Sequence, residues 1–283
     1  MQTVADYALA ERLERFAAFD VRGFAETAAA LFPEESAQYV EVAGGIAGYI
    51  GAGSPVNGAL GLGFCGEVTH GQIAAVERFF LDRGEEPIIG VCPFAHPSLA
   101  VVLAERRWTA GTLENVLVRS IDMDERFGSY SSGIEIREAS GEADLDAWAL
   151  MAAMGFSAPD DPTPAELRLA LTASRREDAR FLFGVLDGQD AGTGQLEISD
   201  GLGWLSGDTT LPRFRRRGLQ GALQRARLAI ARDSGCSLAV TESVPGSASQ
   251  RNMERLGFRV AYTRVDFKCT ASFDTRNPKG SSL

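Results

Sequence analysis

The sequence predicts an α+β fold with a mixed sheet, built from two similar units in tandem. Short apolar segments of strand character alternate with segments whose apolar residues recur at helical spacing. The elements follow a similar order in both halves. Gly84 precedes Trp108 by 24 positions, and Gly235 precedes Phe258 by 23. A duplicated unit is the simplest explanation, and chance agreement of the spacing is the alternative.

The first half alternates helical and strand-like segments. Ile73, Val76 and Phe80 share one face of a helix that ends before a glycine. Turn formers at 51–58 predict a β-hairpin, because Asn57-Gly58 favours positive φ. The first half is predicted to contain helices at 7–19, 23–31, 72–83 and 97–107, and strands at 39–50, 59–68, 87–92 and 112–118.

The second half repeats this alternation. Pro164 suits the first turn of a helix, and Gly257 follows the end of another. A polar turn at 187–190 joins two strands. The second half is predicted to contain helices at 144–154, 163–174, 219–232 and 247–256, and strands at 181–186, 192–198, 204–211, 238–242 and 262–267.

A small polar linker at 127–133 predicts the boundary between the two units. We therefore expect one domain at 1–130 and a second at 134–270. The segment 271–283 is polar and contains glycine and proline, which predicts a disordered tail.

Charge and composition limit the classes of partner. The chain has 283 residues and a net charge of −10, and residues 1–130 carry 18 acidic and 9 basic side chains. Such a balance argues against nucleic-acid binding. It suits a cationic substrate such as an amine, or simply a well-hydrated surface. No apolar run approaches the roughly 18 residues of a membrane span, and no secretion signal is evident. We expect a cytoplasmic protein without a membrane partner.

The cysteines suggest neither disulfides nor a metal. None of the four forms a C-x-x-C pair, so buried or indifferent thiols are expected. Four residues of types that bind zinc occur in the first half, but their spacing matches no familiar zinc site: Cys65, His70, Cys92 and His96. We expect no metal.

The segment 212–222 combines the features of an anion site. It reads P-R-F-R-R-R-G-L-Q-G-A and lies between a predicted strand and a predicted helix. The first N–H groups of a helix lack internal partners and carry the positive end of its dipole. Gly218 and Gly221 let a phosphate approach the backbone closely, and three arginines add full charges. This pattern predicts a diphosphate-binding turn, with a basic surface run as the alternative.

With this turn, residues 134–268 resemble the GNAT superfamily of N-acyltransferases. The family's [Q/R]-x-x-G-x-[G/A] turn is matched by Arg215-Arg-Arg-Gly218-Leu-Gln220, which has Gln220 where glycine or alanine is usual. The family's V-x-P and L-G-F elements are matched by Thr210-Leu-Pro212 and Leu256-Gly257-Phe258. The resemblance implies two tandem GNAT-like domains, of which the first is degenerate.

The resemblance also implies acetyl-CoA as co-substrate and direct transfer of its acetyl group to a primary amine of a small molecule or peptide. Backbone amides at 216–221 would hold the diphosphate, and the strand at 208–210 would pair with the pantetheine arm. The family's strands splay beyond this point, and an N–H near Thr209 would polarise the acetyl carbonyl. The cofactor-binding residues implied are Asp208, Thr209, Thr210, Arg215, Arg216, Arg217, Gly218, Leu219, Gln220, Gly221 and Asn252.

Catalysis requires a base for the ammonium group and a proton for the leaving thiolate. Glu242, at the end of the strand after the cofactor helix, is the first candidate base, and Glu197 is the second; exposed strand-end carboxylates are the alternative. Met253 occupies the position of the tyrosine that many relatives use as acid. Either water, Ser249 or another hydroxyl would then supply the proton, or the thiolate would leave unaided, since the pKa of a free thiol is only about 8.5.

The equivalent turn of the first half reads Gly66-Glu-Val-Thr-His-Gly-Gln72. It has no arginine pair and carries Glu67, so we expect this half to bind no acyl-CoA. It would shape the pocket of the second domain or brace it. A non-catalytic acyl-CoA sensor, favoured by Met253, and an interaction scaffold with a vestigial turn remain alternatives. We expect a monomer or a homodimer.

Overall fold

The computed structural model describes residues 5–157 and 161–269, and the predicted tail at 271–283 lies outside them. The described helices are α1 (Tyr7–Leu31), α2 (His70–Leu81), α3 (Ser98–Glu105), α4 (Glu142–Phe156), α5 (Pro164–Ser174), α6 (Leu219–Asp233) and α7 (Ala248–Arg255). The described strands are β1 (Gln38–Val42), β2 (Gly45–Tyr49), β3 (Gly58–Leu60), β4 (Ile88–Val91), β5 (Trp108–Ser120), β6 (Ile134–Glu138), β7 (Ala179–Leu186), β8 (Gln189–Ser199), β9 (Leu202–Thr210), β10 (Leu238–Ser243) and β11 (Arg259–Cys269). Within these ranges no helix is both long and apolar enough to cross a bilayer.

The described residues form two compact units that interleave along the chain. The central unit is Asn115–Tyr262, and the amino-terminal unit consists of 5–114 and 263–269. Strands β5 and β11 therefore each supply residues to both units. The sequence predicted consecutive domains, 1–130 and 134–270, divided at 127–133, whereas that linker lies within the central unit. A transition inside a strand leaves no change of composition to detect.

The amino-terminal unit has the strand order β1-β2-β3-β4-β11-β5. β1 and β2 are joined by a tight turn in which Ala43 and Gly44 have φ of 50° and 83°. The sequence predicted a hairpin between the segments 39–50 and 59–68, and the antiparallel pairing of β2 with β3 confirms it. The predicted positive φ at Asn57-Gly58 is wrong. The Asn57 side chain closes that loop instead, accepting from the N–H of Ile50 and donating to the carbonyl of Gly51.

Helix α1 runs without a break through the two segments predicted separately. Asp6 caps its start by accepting from the N–H of Leu9. Glu14, buried on its inner face, accepts from Arg264 of β11 at 2.8 Å. Because an unpaired buried charge is costly, this pair fixes where the last strand can lie in the amino-terminal unit.

The central unit has the strand order β11-β5-β10-β9-β8-β7-β6. β9 and β10 are parallel, and β9 to β6 follow one another antiparallel, so the sheet is mixed. α6 covers one face, where Leu223 belongs to a buried cluster with Leu182 of β7. α4 covers the other, where Trp148 lies edge-on to Phe181 at 4.9 Å. The predicted α+β class with a mixed sheet is confirmed.

Candidate functional site

A cavity of about 870 Å³ lies in the central unit, between the end of β9, the start of α6 and helix α7. Ten of the eleven predicted cofactor-binding residues line it: Asp208, Thr209, Thr210, Arg215, Arg216, Gly218, Leu219, Gln220, Gly221 and Asn252. Sequence reasoning missed Gln224, Arg225 and Arg255, which also line it. Their sequence signal is helical spacing, which is four residues from Gln220 for Gln224, four from Gly221 for Arg225 and three from Asn252 for Arg255.

Strands β9 and β10 separate before either of them ends. Their parallel pairing stops at Leu205 and Thr241, while β9 continues to Thr210 and β10 to Ser243. We call the gap beyond the Leu205–Thr241 pair the fork. A strand edge without a neighbour offers main-chain N–H and C=O groups to an extended ligand. The resemblance implied a splay just past residues 208–210, whereas the fork begins earlier, after Leu205.

A β-bulge shapes β9 at the fork. Thr209 pairs with Thr193 of β8, whereas Ser206 pairs with Gln195, so β9 holds one extra residue. Gly207 supplies the required conformation with φ of 62°, and a Cβ there would lie 3.1 Å from the Cβ of Gln195. The bulge reverses the alternation of side chains and turns Asp208 toward α6.

Arg227 of α6 holds this bulge from beneath. Its side chain is fully buried. Nη1 donates to the carbonyls of Gln195 and Ser206 at 2.9 and 2.8 Å, and Nη2 donates to the carboxylate of Asp208. Burial raises the pKa of Asp208, and the guanidinium of Arg227 opposes that rise. One cation thus fixes the path of β9 into the site.

The turn between β9 and α6 brings backbone donors to the cavity. Phe214 is buried and anchors the turn, and Arg215 Nε donates to the carbonyl of Thr210 at 2.9 Å. Arg216 has φ of 62° and Gly218, the N-cap of α6, has φ of 84°. No side chain caps the helix at Gly218. Since the first bond into the helix runs from Ala222, the N–H groups of the three residues before it lack an intrahelical acceptor.

Helix α6 starts close against the sheet. Gly184 of β7 and Gly192 of β8 lie beneath Leu219, its first residue, and a Cβ at Gly184 would approach the Leu219 side chain to 2.8 Å. Packing of Leu219 therefore secures the first turn of α6 without a side-chain cap.

The first turn of α2, in the amino-terminal unit, is closed by its own side chains. Thr69 Oγ1 accepts from the N–H of Gln72, and Gln72 Oε1 accepts from the N–H of Thr69. This is a capping box, and it satisfies the N–H of the third helical residue, whose equivalent in α6 is Gly221 and has no side-chain cap. The two helices follow corresponding turns in the predicted duplication and differ at this point.

Two predicted cofactor residues have partners within the protein. Arg217 does not line the cavity in the described part of the chain and donates to Asp187 at 2.7 Å, in an exposed pair. Asn252 of α7 donates to Gln220 Oε1 at 2.6 Å and accepts from Arg255 at 2.8 Å. The Gln220–Asn252 bond joins the first turn of α6 to α7 across the mouth of the cavity.

The candidate bases lie on the opposite face of the sheet from α6. Leu196, one residue before Glu197, and Ala239, three residues before Glu242, are in the cluster beneath α6 and α7, so alternation places both glutamates on the other face. Glu197 is 3% exposed and accepts from Gln195 and from Ser206, which is adjacent to the fork. Glu242 is half-buried and directly follows Thr241, the last residue of β10 that pairs with β9.

The candidate acids are less well placed. Ser249 is half-buried on α7 and, among the described residues, is not part of the cavity lining. Met253 is 1% exposed and packs in the cluster beneath α6 and α7. Position 253 is therefore a core position here.

The cysteine and histidine side chains considered for zinc have other surroundings. His70 Nε2 lies 2.9 Å from Glu105, and His96 Nδ1 lies 2.8 Å from Ser98 Oγ. Burial raises the pKa of Cys92 to about 12. Within 5–157 and 161–269, no group of three or more His, Cys, Asp or Glu side chains is arranged to hold a metal.

Comparison with solved structures gives the fold a name. A GCN5-related N-acetyltransferase from Kribbella flavida matches with a TM-score of 0.61 at 20% identity, over 86% of this chain and 94% of that one. A GCN5-related N-acetyltransferase from Sphaerobacter thermophilus matches with 0.55 at 17%, over 70% and 66%. A tandem GNAT protein from the clavulanic acid biosynthesis pathway matches with 0.55 at 14%, over 78% and 77%.

These likenesses establish the fold. No protein-family model matches the sequence, and the search of curated proteins gives no match. The chain has the fold of the GCN5-related N-acetyltransferases, which confirms the predicted resemblance at the level of structure, and a tandem GNAT protein is among the structures it resembles.

Replacing Arg227 tests whether it holds the bulge. Arg227→Met leaves the Asp208 carboxylate and two carbonyls buried without their donor, so the free energy of unfolding should fall by about 3–5 kcal/mol. Urea denaturation followed by circular dichroism measures the loss. The control is Arg217→Met, which breaks only an exposed pair and should cost below about 1 kcal/mol. Equal losses in the two variants would show that the buried pair has no special role.

Proposed function

We propose that the central unit is an N-acyltransferase of the GNAT superfamily that transfers an acetyl group from acetyl-CoA to a primary amine of a small molecule or peptide. The fold shared with GCN5-related N-acetyltransferases supports acyl transfer in general. The site residues support the choice of co-substrate.

The observation that carries the proposal is the open start of α6. The N–H groups of Leu219, Gln220 and Gly221 precede the first intrahelical bond, have no side-chain cap and border the cavity. Such donors, at the positive end of a helix dipole, suit a diphosphate. The capped start of α2 supports the accompanying proposal that the amino-terminal unit binds no acyl-CoA.

The charge around the cavity fits the same ligand. Arg215, Arg216, Arg225 and Arg255 line it, in a chain whose net charge is −10. These cations are available to the phosphates of coenzyme A. The cavity continues from the helix start to residues 208–210 of β9, where the lost pairing with β10 suits the amides of the pantetheine arm. A diphosphate site that leads to an unpaired strand edge matches the order of groups in coenzyme A.

In the proposed reaction, the co-substrate binds on the α6 face of the sheet and the base lies on the opposite face, with the fork between them. The amine nitrogen attacks the thioester carbonyl carbon, the C–S bond breaks, and the thiolate leaves with its electron pair. Glu197 or Glu242 accepts the proton that the amine loses, directly or through water. Because Met253 has no proton to give, the thiolate leaves unaided or is protonated by water or Ser249. The acidic balance of the chain suits an acceptor that arrives as an ammonium ion.

Binding is tested by a charge placed in the first turn of α6. Gly221→Asp fits helical geometry but puts a carboxylate among the proposed phosphate donors, so the Kd for coenzyme A should rise at least about 10-fold. Isothermal titration calorimetry measures it. The matched control is Gly71→Asp in the first turn of α2, which should leave the Kd unchanged. Absence of binding to the wild type, or an equal effect of both variants, would contradict the proposal.

Transfer is tested separately by mass spectrometry of primary amines incubated with acetyl-CoA. We expect an acetylated amine and free coenzyme A in equal amounts. Glu197→Gln or Glu242→Gln, whichever removes the base, should slow product formation by about 10²–10⁴-fold. Glu138→Gln, in an exposed pair with Arg180, is the control and should retain the rate. Coenzyme A binding without product from any amine would favour a sensor over an enzyme.

A further inference from the structure

Gln224 is a buried amide that faces the cavity without a partner. Its side chain is 0% exposed. Among the described residues, neither Oε1 nor Nε2 has a hydrogen-bond partner. The residue nevertheless lines the cavity. A buried amide that makes no hydrogen bond is destabilising, so its presence on α6 needs an explanation. A ligand that binds the amide is one such explanation.

The position of Gln224 on α6 specifies which part of a ligand it meets. It follows Leu219 by five residues and Gly221 by three, which places it about 4.5–7.5 Å along the helix axis from the proposed diphosphate donors. One turn earlier, Gln220 reaches Asn252 of α7, and three residues later Arg227 reaches Asp208 of β9. Gln224 therefore lies between α7 and the end of β9, beside the fork.

We infer that Gln224 binds an amide of the pantetheine arm of the acyl-CoA, an inference that rests on the proposed function. Gln offers one carbonyl acceptor and two N–H donors, which complement the C=O and N–H of another amide. A phosphate has acceptors only and would leave Oε1 unpaired. The pantetheine arm is the part of coenzyme A that is neutral, carries amides and connects the diphosphate with the thioester.

A hydrogen bond between Gln224 and the pantetheine arm predicts opposite effects of one substitution on stability and on affinity. Gln224→Met keeps the length of the side chain but removes both polar atoms, so the ligand-free protein should melt at the same temperature or higher. Its Kd for coenzyme A should rise about 10-fold, because the arm loses its partner. If Gln224 had a purely structural role, its replacement would lower the melting temperature. It would also affect ligands with and without the pantetheine arm alike.

The experiment compares two ligands by calorimetry and follows melting by differential scanning fluorimetry. Coenzyme A contains the pantetheine arm, and 3′-phospho-ADP keeps the nucleotide and diphosphate without it. We expect Gln224→Met to weaken coenzyme A only, and Gln224→Leu, a second variant in case the first folds poorly, to do the same. The matched control is Gln38→Met on the exposed surface of β1, which should change neither quantity.

The outcomes separate this inference from the proposed function. If wild-type protein binds coenzyme A and Gln224→Met binds it equally well, the inference fails and the proposed function stands. If the variant raises the Kd of both ligands to the same extent, Gln224 does not bind the pantetheine arm, and the inference also fails. If wild-type protein binds neither ligand, the proposed function itself fails.

Discussion

The site depends on one constraint, which is that α6 begins without a side-chain cap. A Ser, Thr or Asp cap stabilises a helix by about 1 kcal/mol relative to alanine, and glycine gives up only a few tenths of that stabilisation. Gly218 thus leaves the donors open at small cost, and the packing of Leu219 against Gly184 and Gly192 keeps the first turn in place. In α2, by contrast, the Thr69 capping box satisfies the N–H of Gln72, the third residue of the helix. The two helices thus differ in whether a side chain of the protein caps the first turn.

The second constraint is the shape of β9. Gly207 forms the bulge, Arg227 holds it, and the pairing with β10 stops at Leu205. A buried guanidinium that spans a carboxylate and two carbonyls resists rearrangement, so the strand end presents a fixed edge. In the proposed reaction, the fork next to this strand end is where the acyl-CoA on the α6 face would meet Glu197 or Glu242 on the other face.

Much of this site could be predicted from the sequence, because glycine spacing and helix position carry local rules. The turn before α6 and ten cavity residues are of this kind. Arg217 was assigned to the cofactor because three consecutive arginines look alike, and only the structure pairs it with Asp187. Arg227 and Gln224 were missed because polar residues in a helix usually indicate its solvent face. The interleaved units were missed because β5 and β11 have ordinary strand patterns on both sides of the transition.

The central claim is that the backbone donors of Leu219, Gln220 and Gly221 bind the diphosphate of coenzyme A. A crystal structure of the protein with acetyl-CoA tests it most directly. The account predicts diphosphate oxygens about 2.7–3.2 Å from these nitrogens, with the arm running along residues 208–210. A ligand bound at the start of α2, or one that leaves these three nitrogens without a contact, would contradict it.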